Sequence, residues 1–292
     1  MKVKKSFEAY FRKLVPDYDS FIEALTSPLK KTIRCNTIKI QSRELKRRLE
    51  SKGFVLKEIE WYKDGFVVER KAETLGNTLE HFLGYFYVQE KASMLPPLLL
   101  DPKPGDRVLD IAASPGSKTS QMAQLMKNRG TIVANDFRHD RINLLKINLQ
   151  RLGVMNTIVT QHRGESLGKM NLEFDKVLVD APCTSVGAIR KDFKIMNTWN
   201  IKNVKTMARL QKRILEAAIN LTKIGGTIVY STCTLTKEEN EDVVSQFLDR
   251  VKLVKPKFEF GHRGIGLDKV MRLYPQDIDS EGFFIAKMVR IK

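Results

Sequence analysis

Cysteine, histidine and tryptophan are scarce in this chain. Its 292 residues include only 3 cysteines, 4 histidines and 2 tryptophans. An odd, small number of cysteines argues against a disulfide framework. No Cys-x-x-Cys or His-x-x-x-His spacing occurs, and this absence argues against a structural zinc site. We therefore expect neither disulfides nor a bound metal.

Long apolar runs are also absent. No stretch approaches the roughly 18 apolar residues that a membrane-spanning helix requires. The basic N-terminal residues 1–6 are not followed by the apolar core of a secretion signal. These absences argue against a membrane-spanning or secreted protein, and we expect a cytoplasmic location.

Acidic residues are outnumbered. The chain has 34 Asp and Glu against 51 Lys and Arg, a formal net charge of +17. Residues 1–57 carry 15 basic against 6 acidic residues, and residues 187–223 carry 9 against 2. A basic surface can serve solubility alone, but this excess favours a polyanionic partner, most often nucleic acid. We expect the two basic zones to contact a phosphate backbone from both sides.

Two regions of the chain differ in pattern. Residues 1–90 mix short helical and strand patterns, which predicts a small, basic α+β domain. After Gly105 strands alternate with helices. This alternation predicts that residues 91–292 form an α/β domain with a doubly wound, mostly parallel, Rossmann-like sheet. In such sheets ligands bind at the carboxyl ends of the strands.

Several elements of the second region can be bounded in advance. The patterns predict a strand over residues 131–135 and a helix over residues 138–152. A long helix over residues 205–223 is expected to end at the glycine pair 225–226. Residues 236–239 (Thr-Lys-Glu-Glu) have the spacing of a capping box, which predicts that another helix begins there.

A loop of small residues follows the first strand of this region. Residues 110–119 read Asp-Ile-Ala-Ala-Ser-Pro-Gly-Ser-Lys-Thr and lead into a predicted helix, whose free N–H groups face the loop. Ala112 and Ser117 stand where a phosphate-binding loop needs glycines, so that motif is excluded. Asp136 ends the next strand, 26 residues after Asp110, where a carboxylate can accept hydrogen bonds from ribose hydroxyls. Its alternative role is to cap the following helix.

Two cysteines follow strands of the predicted sheet. Cys183 closes residues 180–183 (Asp-Ala-Pro-Cys), and Cys233 lies within residues 230–235 (Tyr-Ser-Thr-Cys-Thr-Leu). Neighbouring strands are about 4.8 Å apart. If these two strands are adjacent, both thiols lie at one sheet edge although they are 50 residues apart in sequence. A lone cysteine is most often a small buried hydrophobe, and that is the role we expect for Cys35.

Taken together, these motifs resemble the Sun-type RNA cytosine-5 methyltransferases, the family of the nucleolar antigen and the bacterial Fmu proteins. The resemblance covers nearly the whole chain and includes the 110–119 loop, Asp136 and both cysteine segments. It extends to residues 33–39 (Ile-Arg-Cys-Asn-Thr-Ile-Lys), 87–96 (Tyr-Val-Gln-Glu-Lys-Ala-Ser-Met-Leu-Pro) and 281–287 (Glu-Gly-Phe-Phe-Ile-Ala-Lys). Residues 163–165 read Arg-Gly-Glu where the family often has Asp-Gly-Arg, so the acid expected near the adenine is absent.

The resemblance implies an enzyme that uses S-adenosylmethionine to methylate carbon 5 of cytidine in RNA. It implies that Cys233 is the nucleophile, that Cys183 helps to release the product and that Asp180 contacts both cofactor and base. The expected cofactor-binding residues are Ala112, Ala113, Ser114, Pro115, Gly116, Ser117, Lys118, Asp136, Arg141 and Asp180. 

The residues suit this chemistry. Carbon 5 of cytosine is a poor nucleophile, but a thiolate that adds to carbon 6 makes carbon 5 enamine-like and able to attack a methyl group. A free thiol has a pKa near ~8.5, so we expect the site to lower the pKa of the nucleophile. Asp180 is three residues from Cys183 and, if protonated, could donate to ring nitrogen 3 as charge develops during the attack.

RNA is the expected partner of a monomeric enzyme. The resemblance implies that residues 1–90 contact RNA, and the basic zones supply further candidates. The expected RNA-binding residues are Arg34, Lys39, Arg190, Lys191, Lys194, Lys205 and Arg209. Resemblance in residues 221–247 and 261–287 favours ribosomal RNA, with transfer RNA as the alternative.

Two other functions fit parts of the pattern. A DNA cytosine-5 methyltransferase would use the cysteine of a Pro-Cys pair as its nucleophile, here Cys183. The second cysteine motif at Cys233 and the RNA-family segments at both ends of the chain argue against it. A non-catalytic RNA-binding ribosome-assembly factor would share the charge and the fold. The presence of both cysteines, Asp180 and Asp136 argues against that function.

Overall fold

A computed structural model describes residues 3–258 and 260–292. The chain divides into two compact units. The middle unit comprises residues 30–164 and 173–178, and the C-terminal unit comprises residues 3–29, 165–172 and 179–292. Within the described residues, no helix combines the length and the apolar character needed to cross a membrane.

The helices and strands are numbered in chain order. The α-helices are α1 (Lys5–Leu14), α2 (Tyr18–Thr26), α3 (Ser42–Glu50), α4 (Leu79–Phe82), α5 (Leu95–Leu100), α6 (Ser117–Leu125), α7 (His139–Leu152), α8 (Gly164–Leu167), α9 (Lys194–Thr198), α10 (Ile201–Leu221), α11 (Glu241–Val244) and α12 (Pro275–Ile278). The strands are β1 (Thr32–Cys35), β2 (Val55–Ile59), β3 (Tyr62–Arg70), β4 (Phe86–Val88), β5 (Arg107–Asp110), β6 (Thr131–Asn135), β7 (Thr157–Thr160), β8 (Phe174–Asp180), β9 (Thr222–Thr232), β10 (Val251–Val254), β11 (His262–Gly264), β12 (Leu267–Leu273) and β13 (Phe283–Arg290). Short 3₁₀ helices occupy Ala72–Asn77, Ala92–Met94, Val186–Ala188 and Ser245–Phe247.

The middle unit begins with a small antiparallel sheet in the strand order β2-β3-β1-β4. Leu45 and Leu49 lie one turn apart on α3, so both side chains face the same way. They share a core with Ile33 of β1 and with Phe66 and Val68 of β3. Burial of these apolar side chains holds α3 against the sheet.

A parallel sheet follows in the same unit, in the order β8-β5-β6-β7. Helices α6 and α7 connect successive parallel strands, as such crossovers require. Leu145 and Leu149 of α7 pack in one core with Ala134 of β6. Because the strands are parallel, their carboxyl ends share one edge, and the 110–119 loop and Asp136 both lie there.

The C-terminal unit contains an antiparallel group of strands. β9 pairs with β13, β13 also pairs with β10 and β12, and β12 pairs with β11. Tyr230 of β9 is opposite Ala286 of β13. The last residue of β8, Asp180, belongs to this unit. The N–H of Ala181 donates to the carbonyl of Ser231 (2.9 Å), so the ends of β8 and β9 are neighbours.

An aromatic core supports these two strand ends. Phe11 of α1, Phe21 of α2 and Trp199 belong to a buried cluster that also contains Val186 and Leu235. The last two residues follow Cys183 and Cys233 by three and two positions in the sequence. The packing of α1 and α2 therefore fixes the segments that leave the two cysteines.

The predicted α/β fold, with its mostly parallel sheet and small N-terminal α+β region, is confirmed. The strand predicted over residues 131–135 is β6, and the helix predicted over residues 138–152 is α7 to within one residue. The predicted division at residue 90, between an RNA-contacting domain and a catalytic domain, stays a prediction. The two compact units of the backbone do not show which residues contact RNA.

Three element boundaries were predicted wrongly. Helix α10 begins at Ile201, before the predicted start at residue 205. Helix α10 ends at Leu221, where Thr222 takes an extended backbone, and the glycine pair 225–226 lies inside β9. The helix after residues 236–239 starts only at Glu241. The Glu239 carboxylate accepts from the Thr236 hydroxyl (2.8 Å). It also accepts from the N–H of Thr184, which is far away in the sequence.

Candidate active site

Hydrogen bonds fix the shape of the 110–119 loop between β5 and α6. The N–H of Ala113 donates to the Asn135 carbonyl (2.7 Å), and the N–H of Gly116 donates to the Ala113 carbonyl (2.8 Å). Gly116 has a φ of 99°, a conformation that glycine adopts readily and other residues rarely. The Ser114 hydroxyl donates to the Arg141 carbonyl (2.8 Å). The loop is therefore held in one conformation at the end of β5.

Asp136 lies against this loop and is buried. One carboxylate oxygen accepts from the N–H of Ser114 (3.2 Å), and the other accepts from the N–H of Arg138 (3.2 Å). The Nε of Arg141 is 3.6 Å from the carboxylate, and its guanidinium also donates to the Ser114 carbonyl. Three of the predicted cofactor residues thus meet at one place. The contact with Arg138, the residue that precedes α7, is compatible with a capping role as well.

The remaining predicted cofactor residues of the loop differ in exposure. Pro115 is exposed and its carbonyl accepts from the Asn148 amide (2.9 Å). Ala112 and Ser117 are partly buried, and Lys118 is buried in the first turn of α6. Their roles in cofactor binding stay predictions.

The two predicted catalytic thiols meet in the C-terminal unit. The Sγ atoms of Cys183 and Cys233 are 3.3 Å apart, and both residues are partly exposed. The Ser185 hydroxyl lies 3.5 Å from the Cys233 sulfur and 3.8 Å from the Cys183 sulfur. The structure therefore brings together the two thiols that the sequence separates by 50 residues.

Electrostatics make the two thiols unequal. The hydrogen bond from Cys183 lowers the pKa of Cys233. The same bond, burial and the charge of Glu239 raise the pKa of Cys183 well above its usual range. Within the pair, ionisation is therefore favoured at Cys233 and opposed at Cys183. Burial raises the pKa of the Cys35 thiol to about 12, which suits a structural cysteine.

Asp180 stands at the end of β8, three residues before Cys183. Its carboxylate accepts a hydrogen bond from the Ser231 hydroxyl (2.8 Å). Ser231 lies two residues before Cys233, so this bond also joins the two cysteine segments. Ser231 was not among the predicted site residues, and no pattern in the sequence indicated this contact.

A glycine pair packs behind the thiols and was also missed. The N–H of Gly187 donates to the Cys233 carbonyl (2.9 Å), and the N–H of Gly282 donates to the Gly187 carbonyl (3.1 Å). A Cβ atom on Gly187 would lie 1.9 Å from the Gly282 carbonyl oxygen. Only glycine allows this approach. Residues 281–287 form one of the segments that resemble the family, but the sequence did not predict the contact between Gly187 and Gly282.

The predicted RNA-binding residues differ in accessibility. Lys194, Lys205 and Arg209 are exposed on α9 and α10, and we refer to these three as the α9–α10 basic set. Lys191 is exposed as well and forms an ion pair with Glu281 (2.7 Å). Their contact with RNA stays a prediction.

Arg34 and Lys39 act inside the middle unit. Arg34 is fully buried, and its guanidinium donates to the side chains of Gln89 (2.8 Å), Ser120 (2.7 Å) and Gln124 (2.5 Å). It ties β1 to α6 and is not accessible to a phosphate, so we correct the expectation that it contacts RNA. The exposed Lys39 donates to two main-chain carbonyls, at 2.7 and 2.9 Å.

Arg190 is also buried, and its guanidinium is hydrogen-bonded within the C-terminal unit. It donates to the carbonyls of Ser27 (3.2 Å), Pro28 (2.8 Å) and Ser280 (3.1 Å) and pairs with Asp279 (2.8 Å). A buried guanidinium with these partners stabilises the unit, and the expectation of an RNA contact is corrected here too. Among the described residues, no group of three or more His, Cys, Asp or Glu side chains is arranged to hold a metal ion.

The parallel sheet with its fixed strand-end loop and the paired thiols define a Rossmann-like methyltransferase. Residues 97–289 match the family described as 16S rRNA methyltransferase RsmB/F, and residues 4–91 match the N-terminal domain of 16S rRNA methyltransferase RsmF. The chain belongs to this family of RsmB/F methyltransferases, and the resemblance stated from its motifs is confirmed.

Similar proteins include enzymes named for two kinds of RNA. The chain is 43% identical to a tRNA (cytosine(49)-C(5))-methyltransferase of Pyrococcus abyssi, over 99% of both chains. It is 41% identical to ribosomal RNA small subunit methyltransferase F of Shewanella oneidensis, over 94% of this chain and 60% of that protein. The chain thus spans about 60% of the length of this ribosomal RNA relative.

Solved structures share the fold over nearly the whole chain. A methyltransferase homologue from Pyrococcus horikoshii is 39% identical, with a TM-score of 0.89 over 99% of this chain and 95% of that one. NSun6 from Pyrococcus horikoshii, solved with SFG, is 27% identical, with a TM-score of 0.92 over 99% of this chain and 98% of that one.

Proposed function

We propose that this chain transfers a methyl group from S-adenosylmethionine to carbon 5 of a cytidine in structured RNA, through a covalent bond between Cys233 and carbon 6. The observation that carries the proposal is the pair of thiols 3.3 Å apart with opposite pKa shifts. Membership of the RsmB/F methyltransferase family supports the class of reaction, and the names of both RNA-modifying relatives support its target.

Each residue of the thiol pair has one part in the mechanism. The Cys233 thiolate adds to carbon 6, and the electron pair of the 5,6 double bond moves toward ring nitrogen 3. Asp180, held by the Ser231 hydroxyl (2.8 Å), donates to that nitrogen from its protonated form. After carbon 5 is methylated, a solvent water or hydroxide takes its proton, the C–H electron pair re-forms the 5,6 double bond, and the sulfur–carbon bond breaks to return the Cys233 thiolate. Cys183 acts at this stage, next to the sulfur that departs.

The residues around the 110–119 loop fit S-adenosylmethionine, which supplies an electrophilic methyl group when bound. A carboxylate can accept about four hydrogen bonds, and Asp136 accepts two main-chain N–H bonds in this structure. Acceptor capacity therefore remains for the two hydroxyls of a ribose. The small side chains of residues 112–117 let the ligand approach the main chain, and Arg141 holds the carboxylate and the loop together.

The α9–α10 basic set supplies the phosphate contacts in this proposal. Its three side chains are exposed and belong to a segment, residues 187–223, with 9 basic against 2 acidic residues. Phosphate contacts position an RNA without reading its sequence. We therefore propose that the α9–α10 basic set binds the RNA backbone and that the thiol site selects the base.

For the class of RNA we propose transfer RNA. The relative named for transfer RNA matches this chain over 99% of both lengths, whereas the ribosomal RNA relative is matched over 60% of its length. Ribosomal RNA, which the sequence alone favoured, is the second candidate because the family description names 16S rRNA.

Methyl transfer to defined nucleic acids tests the proposal. The purified protein is incubated with labelled S-adenosylmethionine and with unmodified transfer RNA, 16S ribosomal RNA or a cytosine-containing DNA duplex, and 5-methylcytidine is measured by mass spectrometry. We expect product in transfer RNA and none in DNA. Product in ribosomal RNA alone would reverse the RNA assignment. Binding of RNA and cofactor without product would identify a non-catalytic binding protein.

A further inference from the structure

A buried carboxylate behind the thiols has no part in the mechanism described above. Glu239 has no exposed surface. Its Oε1 accepts from the N–H of Thr184 (2.9 Å) and from the amide of Gln211 (2.9 Å). Its Oε2 accepts from the hydroxyls of Thr184 (2.5 Å) and Thr236 (2.8 Å). Four donors match the number of hydrogen bonds that a carboxylate can accept.

The donors flank both cysteines. Thr184 follows Cys183 directly, and Thr236 lies three residues after Cys233. The Gln211 amide also donates to the carbonyl of Pro182 (2.8 Å), the residue before Cys183. The Glu239 carboxylate is therefore hydrogen-bonded to both segments that carry the thiols. It binds Thr184 directly and Pro182 through Gln211 of α10 on the Cys183 side, and it binds Thr236 on the Cys233 side.

The neighbour of Glu239 reinforces the Cys233 segment. The hydroxyl of Thr232 donates to the Asn240 side chain (2.6 Å), and the Asn240 amide donates to the Thr234 carbonyl (3.0 Å). Thr232 and Thr234 are the two residues that flank Cys233. The backbone on either side of that thiol is thus fixed by Asn240, and Glu239 adds to the hydrogen bonds of Ser231 and Gly187 that join it to the Cys183 segment.

Burying a carboxylate costs free energy, because the charge loses its hydration. A carboxylate that only capped the N-terminus of a helix would remain closer to water. Helix α11 begins at Glu241, and the Glu239 side chain accepts no hydrogen bond from that helix. All four bonds are made to Thr184, Thr236 and Gln211. The placement of the charge therefore serves the thiol segments rather than the helix.

We propose that Glu239 is a positioning residue for the thiol pair: it fastens the segment after Cys183 to the segment after Cys233 and so keeps the two sulfur atoms within hydrogen-bonding distance. The catalytic role of the thiol pair rests on the proposed function, but the hydrogen bonds that Glu239 makes to the two segments do not depend on it. The carboxylate also adds a negative charge near Cys183, which opposes ionisation of that thiol.

The test uses two variants and one control in the full chain. Glu239→Gln keeps the shape but removes the charge, and its amide must face donors that the carboxylate accepted. Thr236→Val removes one donor on the Cys233 side without changing the volume much. Glu216→Gln makes the same chemical change at an exposed site on α10. Thermal unfolding of each variant verifies that it is folded.

Two readouts are measured. The first, without RNA or cofactor, is the pH profile of iodoacetamide alkylation at each cysteine, followed by peptide mass spectrometry. The second is single-turnover methyl transfer to RNA, with the affinity for S-adenosylmethionine measured by calorimetry. The alkylation profile reports on the thiol pair alone, so it keeps its meaning even if the wild-type protein transfers no methyl group and the proposed function fails.

Glu239→Gln should move alkylation of Cys183 to lower pH, because the opposing charge is gone, and should slow methyl transfer about 10- to 100-fold with unchanged cofactor affinity. Thr236→Val should have a smaller effect on both readouts, and Glu216→Gln none. If Glu239→Gln does not fold, Thr236→Val decides by the same readouts. Folded variants whose alkylation profiles and rates equal those of the wild type would overturn the proposal.

Discussion

Replacing each thiol in turn separates their roles. If Cys233 attacks carbon 6, Cys233→Ala should abolish methylation and form no covalent protein–RNA adduct. If Cys183 acts after methyl transfer, Cys183→Ala should also turn over poorly, but protein should accumulate covalently joined to RNA. Removing a step that follows a covalent intermediate traps that intermediate, whereas removing the nucleophile prevents it.

The structure adds a second, quantitative expectation. The sulfur atoms of Cys183 and Cys233 are 3.3 Å apart, and the hydrogen bond with Cys183 is the main cause that lowers the pKa of Cys233. Hydrogen bonds to charged groups contribute about 1.5–3 kcal/mol, which corresponds to about 10- to 100-fold in thiolate population at a fixed pH. Cys183→Ala should therefore form its adduct more slowly than the wild type, and should approach the wild-type rate only at higher pH.

The assay follows adduct formation on a denaturing gel, with end-labelled RNA and S-adenosylmethionine, as a time course at several pH values. Cys35→Ala is the matched control, because that thiol is buried and its pKa is raised to about 12. We expect Cys35→Ala to behave as the wild type in adduct formation. The adduct band should be slow to appear but persistent in Cys183→Ala, and absent in Cys233→Ala.

Three outcomes would refute parts of this reasoning. Adduct in Cys233→Ala and none in Cys183→Ala would reverse the roles and assign the nucleophile as in the DNA enzymes. Normal methylation by both single variants would show that the paired-thiol mechanism is wrong. Trapping in Cys183→Ala with a wild-type rate and pH dependence of adduct formation would mean that Cys183 does not promote ionisation of Cys233.

Further predictions concern cofactor, RNA and stability. Asp136→Ala should weaken S-adenosylmethionine binding about tenfold or more with the fold retained; unchanged affinity in calorimetry would leave Asp136 only a capping role. Neutralising the α9–α10 basic set should flatten the dependence of RNA affinity on salt, by roughly 0.7–0.9 in log–log slope for each lost phosphate contact, without changing cofactor affinity; an unaltered slope would place the RNA elsewhere. Gly187→Ala should lower the free energy of unfolding by about 1–3 kcal/mol, because its Cβ would lie 1.9 Å from the Gly282 carbonyl. Gly76→Ala, where a Cβ meets nothing within 4 Å, is the control in denaturant titrations, and equal stability of the two variants would contradict the packing argument.

Elements with a strong local pattern were predictable from the sequence. Residues 131–135 are β6 and residues 138–152 nearly coincide with α7, because alternation and helical periodicity are properties of neighbouring residues. The 110–119 loop and Asp136 were recognised for a related reason. In a parallel sheet the end of each strand lies at the binding edge, so the order of the elements alone places those residues there.

Elements whose partners are distant in sequence were not predictable in the same way. Residues 236–239 have the spacing of a capping box, yet the Glu239 carboxylate binds Thr184, which lies 55 residues away. Arg34 and Arg190 were taken for RNA contacts because they are basic residues in basic zones. Both are buried and hydrogen-bonded inside their units, and charge in a sequence does not tell which cations pack inward.

The sequence by itself determined the class of fold, the family and the chemical groups that the site would contain, since these follow from local pattern and residue type. Only the tertiary structure decided that the sulfur atoms of Cys183 and Cys233 lie 3.3 Å apart, that Cys183 is the thiol kept protonated and that Cys233 is the one whose ionisation is favoured. The physical reason is that hydrogen bonding and burial, which set these pKa values, depend on neighbours brought together by strand pairing and packing rather than by the order of the chain.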